Sequence, residues 1–166
     1  MPLIGDVYEY QRSGERLVVA QIGDDSRGEP YRLDGTAAPH ASGPPLHIHP
    51  SSEETFEVLS GRLNVRAGAG VRDIGPGEKA VVPAGTPHKF WNETDEKARF
   101  SAQLLPALRH ASYFEALYPI VGSARVNPLR LAVVLREYRR EARFGGPLGW
   151  FLAILAPIGR VLGYHA

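Results

Sequence analysis

Cysteine is absent from the 166-residue sequence, which excludes disulfide bonds, thiolate metal ligands and a cysteine nucleophile. Neither sign of charge dominates, because 19 Lys and Arg residues are matched by 18 Asp and Glu residues. The sequence therefore gives no general electrostatic reason to expect nucleic acid or an acidic partner. A basic segment followed by an apolar run is also missing at the N-terminus, so no signal peptide is predicted and a cytoplasmic location is the default expectation.

Most of the chain has the pattern of an all-β protein. The length suggests one folding unit with a full hydrophobic core. In residues 3–106, short segments that are apolar, or that switch between apolar and polar residues, are separated by turns that contain Gly, Pro and Asp. This pattern is typical of a β-sandwich or barrel. We therefore predict a β-barrel domain over residues 1–106. The candidate strands are Asp6–Gln11, Glu15–Ile22, Tyr31–Ala37, Leu46–Ile48, Glu54–Ser60, Arg62–Ala67, Val71–Ile74, Lys79–Val82, His88–Asn92 and Ala98–Leu105.

Residues 107–166 are predicted to form a helical extension. One helix is expected over residues 108–118, and a second over 128–144, with Asn127 as its N-cap and Pro128 at its first position. The motif Gly145-Gly146-Pro147 then ends the helical pattern.

The most apolar stretch, residues 148–164, is interrupted by Pro157 and Arg160. A bilayer crossing takes about 20 consecutive apolar residues, so no membrane span is predicted. The stretch could lie on a membrane or cap an apolar substrate tunnel. It could instead pack on the barrel or across a two-fold dimer interface. Packing against protein is favoured, and a homodimer is predicted.

Three histidines and a glutamate stand at spacings that suit a metal site. His47 and His49 are two positions apart, so on a strand they project from the same face, about 6–7 Å apart. Glu54 follows after the turn-forming residues 50–52, and His88 follows a rigid corner made by residues 83–87. Imidazole nitrogens together with one carboxylate can hold a divalent transition metal.

These residues stand in two motifs through which the chain resembles the cupin family, in particular its single-domain conserved-barrel (cupin 2) group. The first motif contains His47, His49, Glu54 and Gly61 at the family's spacing, although Gly43 stands closer to His47 than the usual glycine does. The second motif is complete, with Gly77, Pro83, Gly85, His88 and Asn92.

The resemblance covers roughly residues 35–106. It implies a double-stranded β-helix, the jelly-roll cupin barrel, and it implies His47, His49, Glu54 and His88 as metal ligands. The expected cofactor is one divalent transition metal ion, with iron, manganese, nickel, cobalt, copper and zinc all compatible with these donors. Glu53 is the alternative carboxylate ligand, but the interpretation as a solvated surface neighbour is favoured for it. His40, His110 and His165 are interpreted as ordinary hydrogen-bonded residues.

The predicted function is metal-dependent chemistry on a small organic molecule inside the barrel. An oxygenase is favoured, with a cyclase or isomerase as an alternative and a non-catalytic small-molecule sensor as a second one. Glu54 is the candidate catalytic base, by resemblance to flavonol-cleaving relatives, and no second catalytic carboxylate stands out. The candidate pocket walls are Phe56, Val58, Phe90, Phe100 and Gln103.

Overall fold

The computed structural model describes residues 2–10 and 12–166, and within them the chain forms two antiparallel sheets followed by helices. The strands are β1 (Val7–Tyr10), β2 (Glu15–Gln21), β3 (Tyr31–Ala37), β4 (His47–Ile48), β5 (Glu53–Ser60), β6 (Leu63–Ala67), β7 (Gly70–Ile74), β8 (Lys79–Val82), β9 (His88–Trp91), β10 (Ala98–Leu105) and β11 (Arg143–Phe144). The helices are α1 (His110–Val121), α2 (Pro128–Glu137) and α3 (Gly146–Val161), and Asp25–Arg27 forms a short 3-10 helix.

The two sheets face each other as a jelly roll. One sheet has the strand order β1-β2-β3-β10-β5-β8, and the other has the order β11-β4-β9-β6-β7. Side chains that alternate along each strand fill the space between the sheets. Phe56, Phe90 and Phe100 form an aromatic cluster there, with ring centroids 5.0 to 6.2 Å apart. The predicted double-stranded β-helix is confirmed.

The strand predictions agree with the structure to within one or two residues at each end. Gln11, the last residue of the first predicted strand, lies outside the described residues. The predicted helix over residues 128–144 is wrong beyond residue 137, because α2 ends at Glu137 and Arg143–Phe144 forms β11. This short strand pairs with β4, so its conformation is set by a strand that is distant in sequence.

The helices cover one side of the barrel. Helix α1 packs on β1, where the rings of Tyr8 and Tyr118 are stacked with centroids 4.9 Å apart. Helix α3 packs on α2 through its buried residues Leu152, Ala156 and Gly159. Glycine allows this close approach, since a Cβ at residue 159 would lie 2.8 Å from Val133. No helix in the described ranges is both long and apolar enough to cross a membrane.

Candidate metal centre

The two sheets bring the four predicted ligands together. His47 on β4 is directly opposite His88 on β9, so these two imidazoles lie side by side in one sheet. Glu54 on β5 reaches the cluster from the other sheet, and its buried neighbours Phe56 and Val58 share its face of the strand. His49 follows β4, and its carbonyl accepts a hydrogen bond from the Gly85 amide at 2.9 Å, which ties it to the proline-rich corner before β9.

The geometry of the cluster is that of a small coordination site. Each of the four residues offers one ligand atom, and these atoms all lie within 4.8 Å of one another. His88 Nε2 is 2.7 Å from Glu54 Oε2, and His49 Nε2 is 3.6 Å from the same oxygen. His49, Glu54 and His88 are buried, whereas His47 is half-buried at the edge of the cavity. Three nitrogen donors and one oxygen donor at these separations fit a divalent transition metal.

Main-chain carbonyls orient all three imidazoles. The Nδ1 atoms of His47, His49 and His88 lie 2.9, 2.6 and 2.8 Å from the carbonyl oxygens of Pro45, Glu141 and Thr86, respectively. A carbonyl can only accept, so each Nδ1 carries the proton and donates it. Each ring therefore presents its Nε2 to the cluster, which is the arrangement usually found behind metal-bound histidines.

The pKa values follow from burial and from the shared carboxylate. Burial lowers the pKa of His49 to about 3 and that of the less buried His47 to about 4, so both imidazoles are neutral near pH 7. Burial alone would raise the pKa of Glu54, but the hydrogen bond from His88 and the charges of the three histidines hold it at about 2. Burial opposes protonation of His88 too, yet its hydrogen bond to Glu54 raises its pKa overall. The short contact between His88 Nε2 and Glu54 Oε2 thus favours the protonated form of His88 and the ionised form of Glu54.

His110 forms a further layer behind His49. It is fully buried, its Nδ1 donates to the Ala107 carbonyl at 2.8 Å, and its Nε2 lies 3.4 Å from His49 Nδ1. The same Nε2 is 3.1 Å from the Glu141 carbonyl, to which His49 donates. The sequence placed His110 only as an ordinary hydrogen-bonded histidine. Its position against His49 depends on the packing of α1, which no local spacing reveals.

Three residues of the cluster, His47, His49 and Glu54, line a cavity of about 160 Å³. Its lining comes from both sheets and from the extension, and includes Leu17, Phe90, Phe114, Leu117 and Leu148. Most of this surface is aliphatic or aromatic. Such a cavity suits a small molecule that is largely apolar.

The structure places the five predicted wall residues in different positions. Phe90 and Phe100 line the cavity. Phe56 and Val58 are fully buried and do not line it, although Phe56 packs beneath the other two rings. Gln103 is not part of the lining either, because it alternates with the inward-facing residues of β10 and so lies on the outer side of the sheet.

The remaining motif residues have structural positions. Asn92 is buried, and its Nδ2 donates to the carbonyl oxygens of Ala38 and Glu96 at 3.0 and 2.7 Å, so it holds two loops together. Gly43 has a φ of +63°, and a Cβ there would lie 1.7 Å from the Phe90 carbonyl oxygen. Glycine is needed at residue 43 for both reasons. Glu53 is exposed, and His40 pairs with Asp95 at the surface.

Glu15 is a carboxylic acid of the cavity that the sequence interpretation missed. It lines the same cavity as His49 and Glu54 and is 6% exposed. A signal was present in the sequence, since Glu15 occupies the same inward face of β2 as the apolar residues Leu17 and Val19. A charged residue at an inward-facing position of a strand is unusual and indicates a candidate functional residue.

Sequence comparison agrees with this architecture. Residues 35–105, which include all four cluster residues, match the sequence profile of the Cupin domain family. Over residues 35–105 the chain therefore has a cupin domain. A 52-residue stretch is also 44% identical to a protein of Hypocrea virens described as "Probable oxidoreductase virH". That stretch covers 31% of this chain and 24% of the Hypocrea protein, so the likeness spans about a quarter of that relative.

Solved structures resemble this chain at low sequence identity. The cupin domain of Cnp3 from Schizosaccharomyces pombe superposes with a TM-score of 0.50 and 13% identity, over 60% of this chain and 66% of the Cnp3 chain. A protein of Silicibacter pomeroyi described as a sugar phosphate isomerase from a cupin superfamily has a TM-score of 0.47 and 26% identity, over 63% of this chain and 69% of its own. The Cnp3 likeness supports the fold alone.

Proposed function

We propose that this cupin is a metal-dependent enzyme of the oxygenase type that acts on a small, largely apolar organic molecule. The observation that carries the proposal is the arrangement of donors beside the cavity. Three Nε2 atoms, each oriented by a carbonyl bound at Nδ1, converge with one carboxylate where an apolar ligand could reach them. Such preorganised donors favour metal binding over other uses of four buried polar groups.

The residues that would hold the metal are His47, His49, Glu54 and His88. Their donor set fits iron, manganese, nickel, cobalt, copper or zinc and does not choose among them. A bound metal would polarise a substrate oxygen and, if it were redox-active, would also support oxygen chemistry. The oxygenase form is supported by the partial likeness to a probable oxidoreductase. A non-redox metal at the same site would instead favour a cyclase or isomerase.

The protein itself would contribute three things. The apolar lining would exclude water from the substrate, and Phe90 and Phe100 would limit its shape. Glu54 would accept a proton from the substrate. Its low pKa depends on the hydrogen bond from protonated His88, so loss of the His88 proton would bring Glu54 closer to the range useful for a base.

Metal binding is the first test. We expect the purified protein to bind one transition metal ion per chain, measured by elemental analysis and by titration of the metal-free protein. The combined substitutions His47→Ala and His49→Ala should nearly abolish binding. His40→Ala is the matched control, because His40 is an exposed histidine outside the cluster. A wild-type protein that remains metal-free after exposure to iron, nickel, manganese and zinc would refute the proposal.

Activity is the second test. Oxygen consumption by the iron-, nickel- or manganese-loaded protein should be measured with a panel of enols, flavonoids and thiols. Turnover with one of these classes would support the oxygenase. Conversion of a substrate without oxygen uptake would favour the cyclase or isomerase, and binding without turnover for any metal would favour the sensor.

We also propose that the chain forms a homodimer through α3. The face of α3 opposite α2 exposes Trp150, Ile154 and Val161, with Trp150 79% and Val161 88% exposed. Exposed apolar patches of this kind commonly mark interaction surfaces. A second copy would cover the same face by two-fold symmetry.

A further inference from the structure

Glu15 is a buried carboxyl group whose two oxygens have different surroundings. Its Oε1 accepts a hydrogen bond from the Tyr118 hydroxyl at 3.0 Å. Its Oε2 is buried and has no hydrogen-bond partner among residues 2–10 and 12–166. The nearby Ser13 hydroxyl donates instead to the Tyr10 carbonyl, at 3.2 Å. Leaving a buried polar atom unpaired costs free energy, so the position is unfavourable for the fold alone.

Glu15 lines the same cavity as His47, His49 and Glu54 of the metal-site cluster. Glu15 is contributed by β2 and is covered by α1 through Tyr118, whereas the cluster lies on β4, β5 and β9. Much of the remaining lining is apolar, including Leu17, Leu33 and Leu117. A molecule that filled the cavity would therefore meet Glu15 on one strand and the cluster on others, within a lining that is largely apolar apart from Tyr10, Tyr113 and Arg143.

The protonation of Glu15 limits the ligand chemistry. Burial raises the pKa of Glu15 to about 7, although the hydrogen bond from Tyr118 opposes the shift. Near neutral pH the carboxyl group is thus present in both forms. A hydroxyl group can donate to the ionised form and accept from the protonated form, whereas a fixed cation would interact well only with the ionised form.

We propose that Glu15 contacts the ligand, with its free Oε2 forming a hydrogen bond to a hydroxyl group remote from the ligand atom that binds the metal. This assignment rests on the proposed metal-dependent function. It narrows the substrate class to small, largely apolar molecules with two polar ends, one an oxygen that binds a metal and the other a hydroxyl group.

Two matched probes test the assignment. Both 4-propylcatechol and 4-(3-hydroxypropyl)catechol offer adjacent oxygens to a metal, and they differ by one terminal hydroxyl group. Their affinities for the zinc-loaded protein should be measured by calorimetry under nitrogen, where neither probe is oxidised. In the wild type, the hydroxyl group should maintain or increase the affinity. In Glu15→Leu the terminal hydroxyl group should weaken binding. The ratio of the affinity for 4-(3-hydroxypropyl)catechol to that for 4-propylcatechol should therefore fall by about 10- to 100-fold from the wild type to the variant.

Three controls separate a ligand contact from a structural role. Glu15→Gln should retain much of the preference, because an amide still forms the hydrogen bond. Glu9→Gln, at an exposed glutamate on the neighbouring strand β1, should leave the ratio unchanged. Zinc stoichiometry should be the same in all variants. A purely structural Glu15 would lower the melting temperature on substitution without changing the ratio of affinities.

The outcomes distinguish this assignment from the function on which it rests. If the zinc-loaded wild type bound neither catechol, the proposed metal-dependent function would be contradicted, and the Glu15 assignment with it. If 4-propylcatechol bound but the ratio of affinities were the same in Glu15→Leu as in the wild type, the Glu15 assignment alone would be overturned.

Discussion

The imidazoles of the cluster differ in the number of protons that a metal must displace. His47 and His49 donate only from Nδ1, and their lowered pKa values leave Nε2 free near pH 7. His88 carries a second proton on Nε2, because that nitrogen donates to Glu54. A metal ion therefore competes with a proton chiefly at His88.

The competition at His88 predicts how metal affinity depends on pH. The hydrogen bond to Glu54 raises the pKa of His88 above its ordinary value despite burial, so the metal-free protein keeps a proton there to a higher pH than a free imidazole would. Zinc affinity should increase as pH rises through the neutral range, with release of about one proton per ion below the pKa of His88. Calorimetry in two buffers of different ionisation enthalpy gives the proton count. An affinity that did not change between about pH 6 and pH 9 would contradict this account.

Glu54 combines a ligand role with a proposed acid–base role, and Glu54→Gln separates them. The amide still offers an oxygen to the metal but cannot take up a proton. We expect the variant to remain folded, to show altered metal affinity and to lose turnover far more than substrate binding, by about 10²- to 10⁴-fold. His88→Ala should instead remove metal and activity together. Wild-type turnover by Glu54→Gln would exclude Glu54 as the base.

Glu15 should make the stability of the protein depend on pH. Its pKa is 4.5 in the unfolded chain and about 7 in the folded protein, so the folded state binds more protons between these values. The stability that Glu15 contributes is present below about pH 4.5 and is lost as pH rises through 7. Between pH 4.5 and pH 8, the free energy of unfolding of Glu15→Gln should therefore increase by about 3 kcal/mol relative to that of the wild type. Urea unfolding at several pH values measures this difference, and parallel pH profiles would contradict it.

Among the elements of the fold, β11 and the turn before it connect the extension to the metal centre. Arg143 and Phe144 pair with Ile48 and His47, and the Glu141 carbonyl orients His49. The extension thus fixes one ligand strand from its edge, in addition to covering the barrel.

A backbone substitution tests this connection without changing a ligand. Proline at residue 142 restricts the conformation of Glu141 and removes the amide that donates to Tyr138, so Ala142→Pro should move the carbonyl away from His49. Zinc affinity should fall by about 10- to 100-fold, the range found when groups behind metal ligands are lost. Glu141→Gln keeps the carbonyl and is the matched control. Near-UV circular dichroism should verify that the barrel is intact, and an unchanged affinity in the folded proline variant would refute the role of the carbonyl.

The elements also differ in how far the sequence predicts them. The barrel strands follow from the alternation of apolar residues and from glycine- and proline-rich turns, and the cluster follows from the spacing of His47, His49, Glu54 and His88. Strand β11 could not be predicted, since two residues have no periodicity of their own and gain order only from β4. Gln103 is a candidate wall residue in the sequence but alternates with the inward-facing Ala102 and Leu104, so it lies on the outer side of β10. The contact between His110 and His49 could not be predicted either, because it depends on how α1 packs against residues that are distant in sequence.

At the scale of the whole molecule, the apolar face of α3 is an exposed surface with several large hydrophobic side chains. Its opposite face is buried on α2, so one helix presents apolar side chains on both sides. We expect a homodimer in solution, with Trp150→Ser combined with Ile154→Ser shifting it to monomer in light scattering. Val71→Ser, at an exposed apolar residue on β7, is the control. A wild type that is monomeric at high concentration would rule out the dimer.

The hydrogen bond between His49 and the Glu141 carbonyl also has a consequence for the order in which the site is completed. These residues are 92 positions apart, and all four candidate ligands precede Glu141 in the chain. During synthesis, the ligand side chains leave the ribosome before the carbonyl that orients His49 has been made. A metal ion captured at that stage would meet one imidazole still free to rotate, and would be held less selectively. Selective metal binding would then be established late in folding, after β11 has paired with β4.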